Sequence, residues 1–176
     1  MNFLHDLPYG EKEKLNVIIE IPKFSRIKYE VDKDTGLIKF DRVLYSPMHY
    51  PANYGFVPNT WWEDEDPLDV LVFGEEPIAP GTLVVVRPIG ALPMNDGGDD
   101  DIKLLGVPVE DPRFVNTHDL DSIEPHLLKE MSHFFARYKD LQNKKVVVGE
   151  WVGKDAAFAA VEKSVALYKE KFRQRL

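Results

Sequence analysis

Helical periodicity is confined to the last third of this chain, and what precedes it is a series of short apolar runs separated by turn signals. Leu15 to Pro22 reads as a strand, and Arg26 to Val31 and Leu37 to Leu44 as two more joined by the turn Asp32-Lys33-Asp34-Thr35-Gly36. Tyr45 to Trp62, rich in aromatics, proline and asparagine, reads as irregular structure. Leu68 to Phe73, Thr82 to Ile89 and Ile102 to Val109 continue the β pattern. Only then does a 3.6-residue period appear. Over Glu124 to Gln142 it aligns Leu127, Leu128, Met131, Phe134, Phe135 and Tyr138. A last helix, with Asp155 as its expected cap, aligns Ala157, Val161, Val165, Tyr168 and Phe172. Short strands followed by two amphipathic helices predict an α+β fold, a small closed β-barrel with the helices packed beside it.

A length of 176 residues suits one domain, here 1–176, with a sizeable core. The absence of cysteine excludes disulfide and thiolate chemistry. The N-terminus lacks a basic region followed by an apolar one, and no apolar run reaches membrane-spanning length, so the expected location is cytoplasmic. A net charge of −8 argues against nucleic acid as a partner, because electrostatic binding of a polyanion needs a basic face.

The strongest chemical signal is Asp64-Glu65-Asp66-Pro67-Leu68-Asp69-Val70, three aspartates running into an apolar strand. On an extended chain Asp64 and Asp66 share a face, and the bend at Pro67 lets Asp69 swing toward them. Carboxylates brought together repel unless a cation sits among them, and a hard divalent ion such as Mg²⁺ suits oxygen donors. The plainer alternative is a solvated acidic turn. An EF-hand loop is disfavoured, since its sixth position would be Asp69 rather than glycine and a strand follows it. Asp96 and Asp101 flank a second acidic segment whose glycines also suit an ordinary hairpin, with Lys103 on the face of Asp101. Glu20 interrupts an apolar strand, Lys28 and Glu30 share a face, and Arg42 follows in the next strand. Tyr50, Tyr54, Tyr138 and Lys139 complete the set. Each has a structural explanation taken singly. Together they combine cation-binding carboxylates with phosphate-binding lysine, arginine and tyrosine, which a substrate both anionic and metal-loaded would require.

Several segments in chain order resemble those of the soluble family I inorganic pyrophosphatases of short prokaryotic type. They are Ile19-Glu20-Ile21-Pro22, Lys28-Tyr29-Glu30, Asp41-Arg42, Tyr50-Pro51-Ala52-Asn53-Tyr54-Gly55, the aspartate signature, Arg87-Pro88-Ile89-Gly90, Asp101-Ile102-Lys103 and His133 through Leu141. Glu65 departs from the small or short residue usual between the first two signature aspartates. The resemblance implies a five-stranded OB-type barrel and hydrolysis of pyrophosphate to two orthophosphates, with several Mg²⁺ ions per site. By position, Asp64, Asp69 and Asp101 would hold the principal ion, Asp96 a third with Asp101, and Glu20 with Glu30 a further one. Asp66 would be the general base. Lys28, Arg42, Tyr54, Lys103, Tyr138 and Lys139 would contact phosphate. A homo-oligomer, commonly a hexamer, is implied as well, with His133 in a subunit contact.

Charge supports the number of ions. Seven of these carboxylates against four cationic side chains leave −3, and a substrate of roughly −3 to −4 brings the total to about −6 to −7, which about three or four Mg²⁺ would neutralise. Two other classes compete. An OB-type barrel can be a single-strand binding module, which the acidic balance opposes. A different phosphatase or nucleotide hydrolase is the second rival, although no P-loop sequence is present.

Overall fold

A computed structural model describes residues 1–174. In chain order the elements are β1 (Gly10–Glu11), β2 (Lys14–Ile21), β3 (Ile27–Val31), β4 (Ile38–Val43), β5 (Asn53–Phe56), β6 (Asp69–Val72), β7 (Leu83–Asp96) and β8 (Asp99–Pro108). Helix α1 (Pro125–Arg137), β9 (Val146–Val148), β10 (Val152–Gly153) and α2 (Lys154–Lys171) follow. No helix among the described residues is long and apolar enough to cross a membrane.

Five strands form a ring. β2 pairs antiparallel with β5, β5 with β6, β8 with β7 and β7 with β2, while β6 and β8 run parallel. Numbered within the ring, the order is one-two-three-five-four and back to one, the OB arrangement. Closure leaves the ring strands without a free edge, so their backbone groups are paired all round. Leu15, Val17, Ile19, Val70, Val72, Val86, Ala91 and Leu104 are fully or almost fully buried along one layer that also takes Ala157 and Val161 of α2. Met131, Phe134 and Phe135 of α1 join Tyr50, Tyr54, Leu92 and Leu105 in a second layer. The β3–β4 hairpin is a separate two-stranded sheet standing beside the ring.

Four local expectations are revised. The stretch read as irregular contains β5, all four residues of which are buried. Burial on both faces removes the alternation by which a strand is recognised, and Gly55 interrupts the β propensity. Glycine is needed there because a Cβ would lie 2.0 Å from the Ile18 carbonyl oxygen of β2. Second, β7 and β8 run further than their apolar cores suggest, to a two-residue turn. Gly97 and Gly98 hold φ of 70° and 116°, which allows Asp96 to pair with Asp99 directly. The acidic residues expected in a loop are thereby on strands.

Third, α1 stops at Arg137, and Asp140–Gln142 forms a 3-10 turn closed by Asn143 in the left-handed region. That break leaves Tyr138 and Lys139 at the helix end, facing the barrel mouth. Glu124 caps the start of α1, accepting from the backbone of His126 at 2.7 Å and Leu127 at 3.1 Å. Fourth, α2 begins at Lys154 with Gly153 as its cap and no side-chain cap hydrogen bond. Asp155 is therefore inside the first turn, where it still favours the helix dipole.

Candidate active site

Strand register brings the charged residues together at one mouth of the ring. In the parallel β6–β8 pair Asp69 stands opposite Lys103, and Asp101 lies two residues earlier on the same face of β8. The Lys103 ammonium accordingly sits 2.5 Å from Asp69 and 2.6 Å from Asp101. Burial works against that ammonium, but the charges of Asp69 and Asp101 outweigh it and hold its pKa well above the ordinary lysine value. Tyr54, on neighbouring β5, faces the same group, with the Lys103 ammonium 5.8 Å from its ring centroid. Across the hairpin Lys28 lies opposite Arg42 and pairs with Glu30 at 2.8 Å and Asp41 at 3.1 Å. The Lys139 ammonium pairs with Asp96.

These residues line a single cavity of about 530 Å³. Its wall contains Glu20, Lys28, Glu30, Tyr54, Asp64, Asp66, Asp69, Asp96, Asp101, Lys103, Tyr138 and Lys139. Of the residues singled out from the sequence for this site, Arg42 and Tyr50 lie outside that wall, Tyr50 being buried in the core beside Phe134. The Arg42 guanidinium is turned to Asp41, and its Nε is a buried donor with no hydrogen-bond partner. The wall also includes Asp32, Lys33 and Asp34, which had been read only as turn residues, and Lys39, which had been read only as part of a strand. The signal for the first three was the charge of the turn Asp32 to Gly36, whose direction a local reading leaves undetermined.

The acidic turn differs from the extended segment expected. Trp62 N–H donates to the Asp66 carbonyl at 2.8 Å, and Glu65 has φ of 63°. The alternation of faces survives the change of backbone. Asp64 and Asp66 line the cavity, whereas Glu65 turns away to Lys171, 3.1 Å from its ammonium. A residue between two aspartates in the left-handed region explains why short or glycine-like side chains suit that position.

Among the described residues no three acidic or histidine side chains converge tightly enough to hold an ion as they stand, since Lys103 fills the space between Asp69 and Asp101. The donor set nevertheless suits a hard cation. Nine carboxylates on the wall face five ammonium groups, an excess of four negative charges. Burial, then the charge of Asp69, raises the Glu20 carboxyl well above its usual range, while the Val31 N–H donates to it at 2.6 Å. Burial first, then Asp69 and Asp101, pushes Asp64 up to about 7. Burial lowers Lys139 despite its carboxylate partner.

The raised Asp64 has a consequence for the metal-free protein. Between its ordinary value of 3.8 and about 7, the folded state holds a proton that the unfolded chain has released. The stability contribution of this group therefore falls as pH rises through that window and is constant above it. The thermal midpoint of chelator-treated protein should drop between about pH 5 and pH 7, and Asp64→Asn should flatten that slope. An equally steep slope in the variant would place the titration elsewhere.

Comparison with known proteins agrees with this geometry. The family model described as inorganic pyrophosphatase matches residues 17–169. An inorganic pyrophosphatase of Geobacillus stearothermophilus is 49% identical over 160 residues, covering 91% of this chain and 97% of the relative. Soluble inorganic pyrophosphatase 3 of Arabidopsis thaliana is 47% identical over 168 residues, covering 94% and 78%. The crystal structure of the inorganic pyrophosphatase from Thermus thermophilus superposes with a TM-score of 0.91 at 41% identity, covering 96% of this chain and 99% of that one. Shared sequence over nearly the whole length, on a shared barrel, makes this chain a member of the inorganic pyrophosphatase family, hydrolases of pyrophosphate.

Proposed function

We propose that the chain hydrolyses pyrophosphate by direct attack of water, with Asp66 as general base and several Mg²⁺ ions held by the carboxylates of the cavity. What carries this reading is the meeting, in one cavity, of twelve side chains drawn from β2, β3, β5 to β8, the acidic turn and the end of α1. Asp64, Asp69 and Asp101 are the principal cation ligands in this reading, with Asp96, Glu20 and Glu30 serving further ions. Bound there, Mg²⁺ supplies positive charge to phosphate oxygens and acidifies water.

The protein's own groups do the rest. Asp66 is half-exposed at the cavity mouth, where its carboxylate can accept the proton of the attacking water. Lys28, Lys103 and Lys139 place ammonium groups around the wall, and Tyr54 and Tyr138 add hydroxyls to bind and orient phosphate oxygens. Arg42 brings an unmet Nε donor that an arriving phosphate could satisfy. Phosphoryl transfer through a loose transition state asks mainly for such alignment and neutralisation, so no covalent nucleophile is needed.

Orthophosphate release from pyrophosphate, measured with and without Mg²⁺ and with ATP as an alternative substrate, tests this. Fast release that needs Mg²⁺ and is largely confined to pyrophosphate is expected. Release undiminished by metal removal would overturn the cation assignment.

Cytoplasmic action and a homo-oligomer, the hexamer implied by the resemblance, belong to the same reading. An apolar groove lined by Phe24, Met48, Phe73, Phe114 and Phe134, with His133 on its wall, supports a subunit contact. Sedimentation of a monomer at micromolar concentration would overturn it.

A further inference from the structure

Lys33, which has no role in the reading above, makes three contacts around the turn that carries Asp66. Its ammonium donates to the Glu65 carbonyl at 2.6 Å and lies 2.5 Å from Asp66 Oδ1. It also stands 5.1 Å from the ring centroid of Trp61, a buried side chain packed edge-on against Phe172. The position of Lys33 is itself constrained. The Asp32 carboxylate accepts from both Thr35 N–H and hydroxyl, at 2.9 and 2.8 Å, and the Lys33 carbonyl accepts from Asn2 at 3.4 Å. From the other side Lys171 takes the Glu65 carboxylate and stacks over the same indole at 4.3 Å, and Lys163 pairs with Glu63 at 2.5 Å.

An exposed ion pair alone would contribute little. Here the carbonyl that Lys33 binds belongs to a residue with φ of 63°, a conformation that costs energy for a side chain other than glycine and persists only where neighbours hold it. Of the two Asp66 oxygens, it is Oδ1 against which the ammonium is placed. We propose that Lys33 is a positioning residue for hydrolysis, acting through Asp66 by fixing the turn at the Glu65 carbonyl and the carboxylate at Oδ1, so that Oδ2 serves the water. This inference rests on Asp66 being the general base.

Steady-state kinetics of K33A, K33R, D66N and the double variant test it on the full chain with Mg²⁺ present. K33A should lower kcat about tenfold and leave KM within about twofold, since mispositioning affects the reacting geometry more than substrate binding. K33R, which keeps the charge and the donors, should remain within about threefold of the parent. In the D66N background K33A should cost less than about twofold, because the group it positions is gone. A K33A penalty of the same tenfold in both backgrounds overturns the proposal and leaves the Asp66 assignment standing. So does K33A with parental kcat. D66N at parental rate instead removes the general base, and the proposal with it. Thermal midpoints within a few degrees of the parent confirm that each variant is folded.

Discussion

Replacing Asp66, the proposed general base, by asparagine should lower kcat by about 10²- to 10⁴-fold, the range expected when such a group is lost. The substitution is close to isosteric, and the side chain is half-exposed, so stability should change by no more than about 0.5 kcal/mol. KM and the Mg²⁺ concentration for half-activation should stay within about threefold, because the proposed cation ligands Asp64, Asp69 and Asp101 are untouched. Orthophosphate release over a Mg²⁺ titration measures all three quantities at once. A rate near the parent's would remove Asp66 from the mechanism, while a large rise in the Mg²⁺ requirement would recast it as a ligand.

The second large effect concerns the metal-free state. Lys103→Met should destabilise chelator-treated protein by about 3 kcal/mol, because Asp69 and Asp101 would be left buried without their counter-ion. For a domain of this size that is a fall of roughly 6–12 °C in thermal midpoint. Added Mg²⁺ should recover much of the loss if, as proposed, it binds the folded state at the same two carboxylates. Calorimetric scans of parent and variant, each with chelator and with Mg²⁺, give the comparison. An unchanged midpoint in chelator would show that the ammonium is not what makes this buried cluster tolerable. A midpoint equally low in both conditions would count against Mg²⁺ at Asp69 and Asp101.

Where a residue's surroundings come from its own strand, the sequence was readable. Asp101 and Lys103 share a face of β8 by parity, as do Lys28 and Glu30 on β3, and each pair forms an ion pair. The two helix stripes were readable for the same reason, with Met131, Phe134 and Phe135 buried together. A closed barrel was suggested by the succession of short strands, but the order of strands round the ring had no local signature and rested on the family resemblance. β5 escaped because its four residues are buried on both faces. Lys33 escaped because its role depends on a carbonyl some thirty residues away, held in a backbone conformation that Glu65 does not advertise. The expected triplet of carboxylates does face one cavity, but the sequence gave no hint of Lys103 standing between two carboxylates. Across-strand placement follows from pairing, and pairing is a property of the whole ring.

Ring closure also sets when the chemistry can begin. β2 meets β7 and β6 meets β8 only after long intervening stretches have been made, so loop-closure entropy makes these the slow pairings of folding. The cavity wall starts at Glu20 and is completed at Lys139. A nascent chain that has not yet emerged beyond α1 therefore has most of the carboxylates but not the full phosphate-binding set. In a refolding experiment the return of turnover would then report the completed ring, lagging behind any signal from the early hairpins.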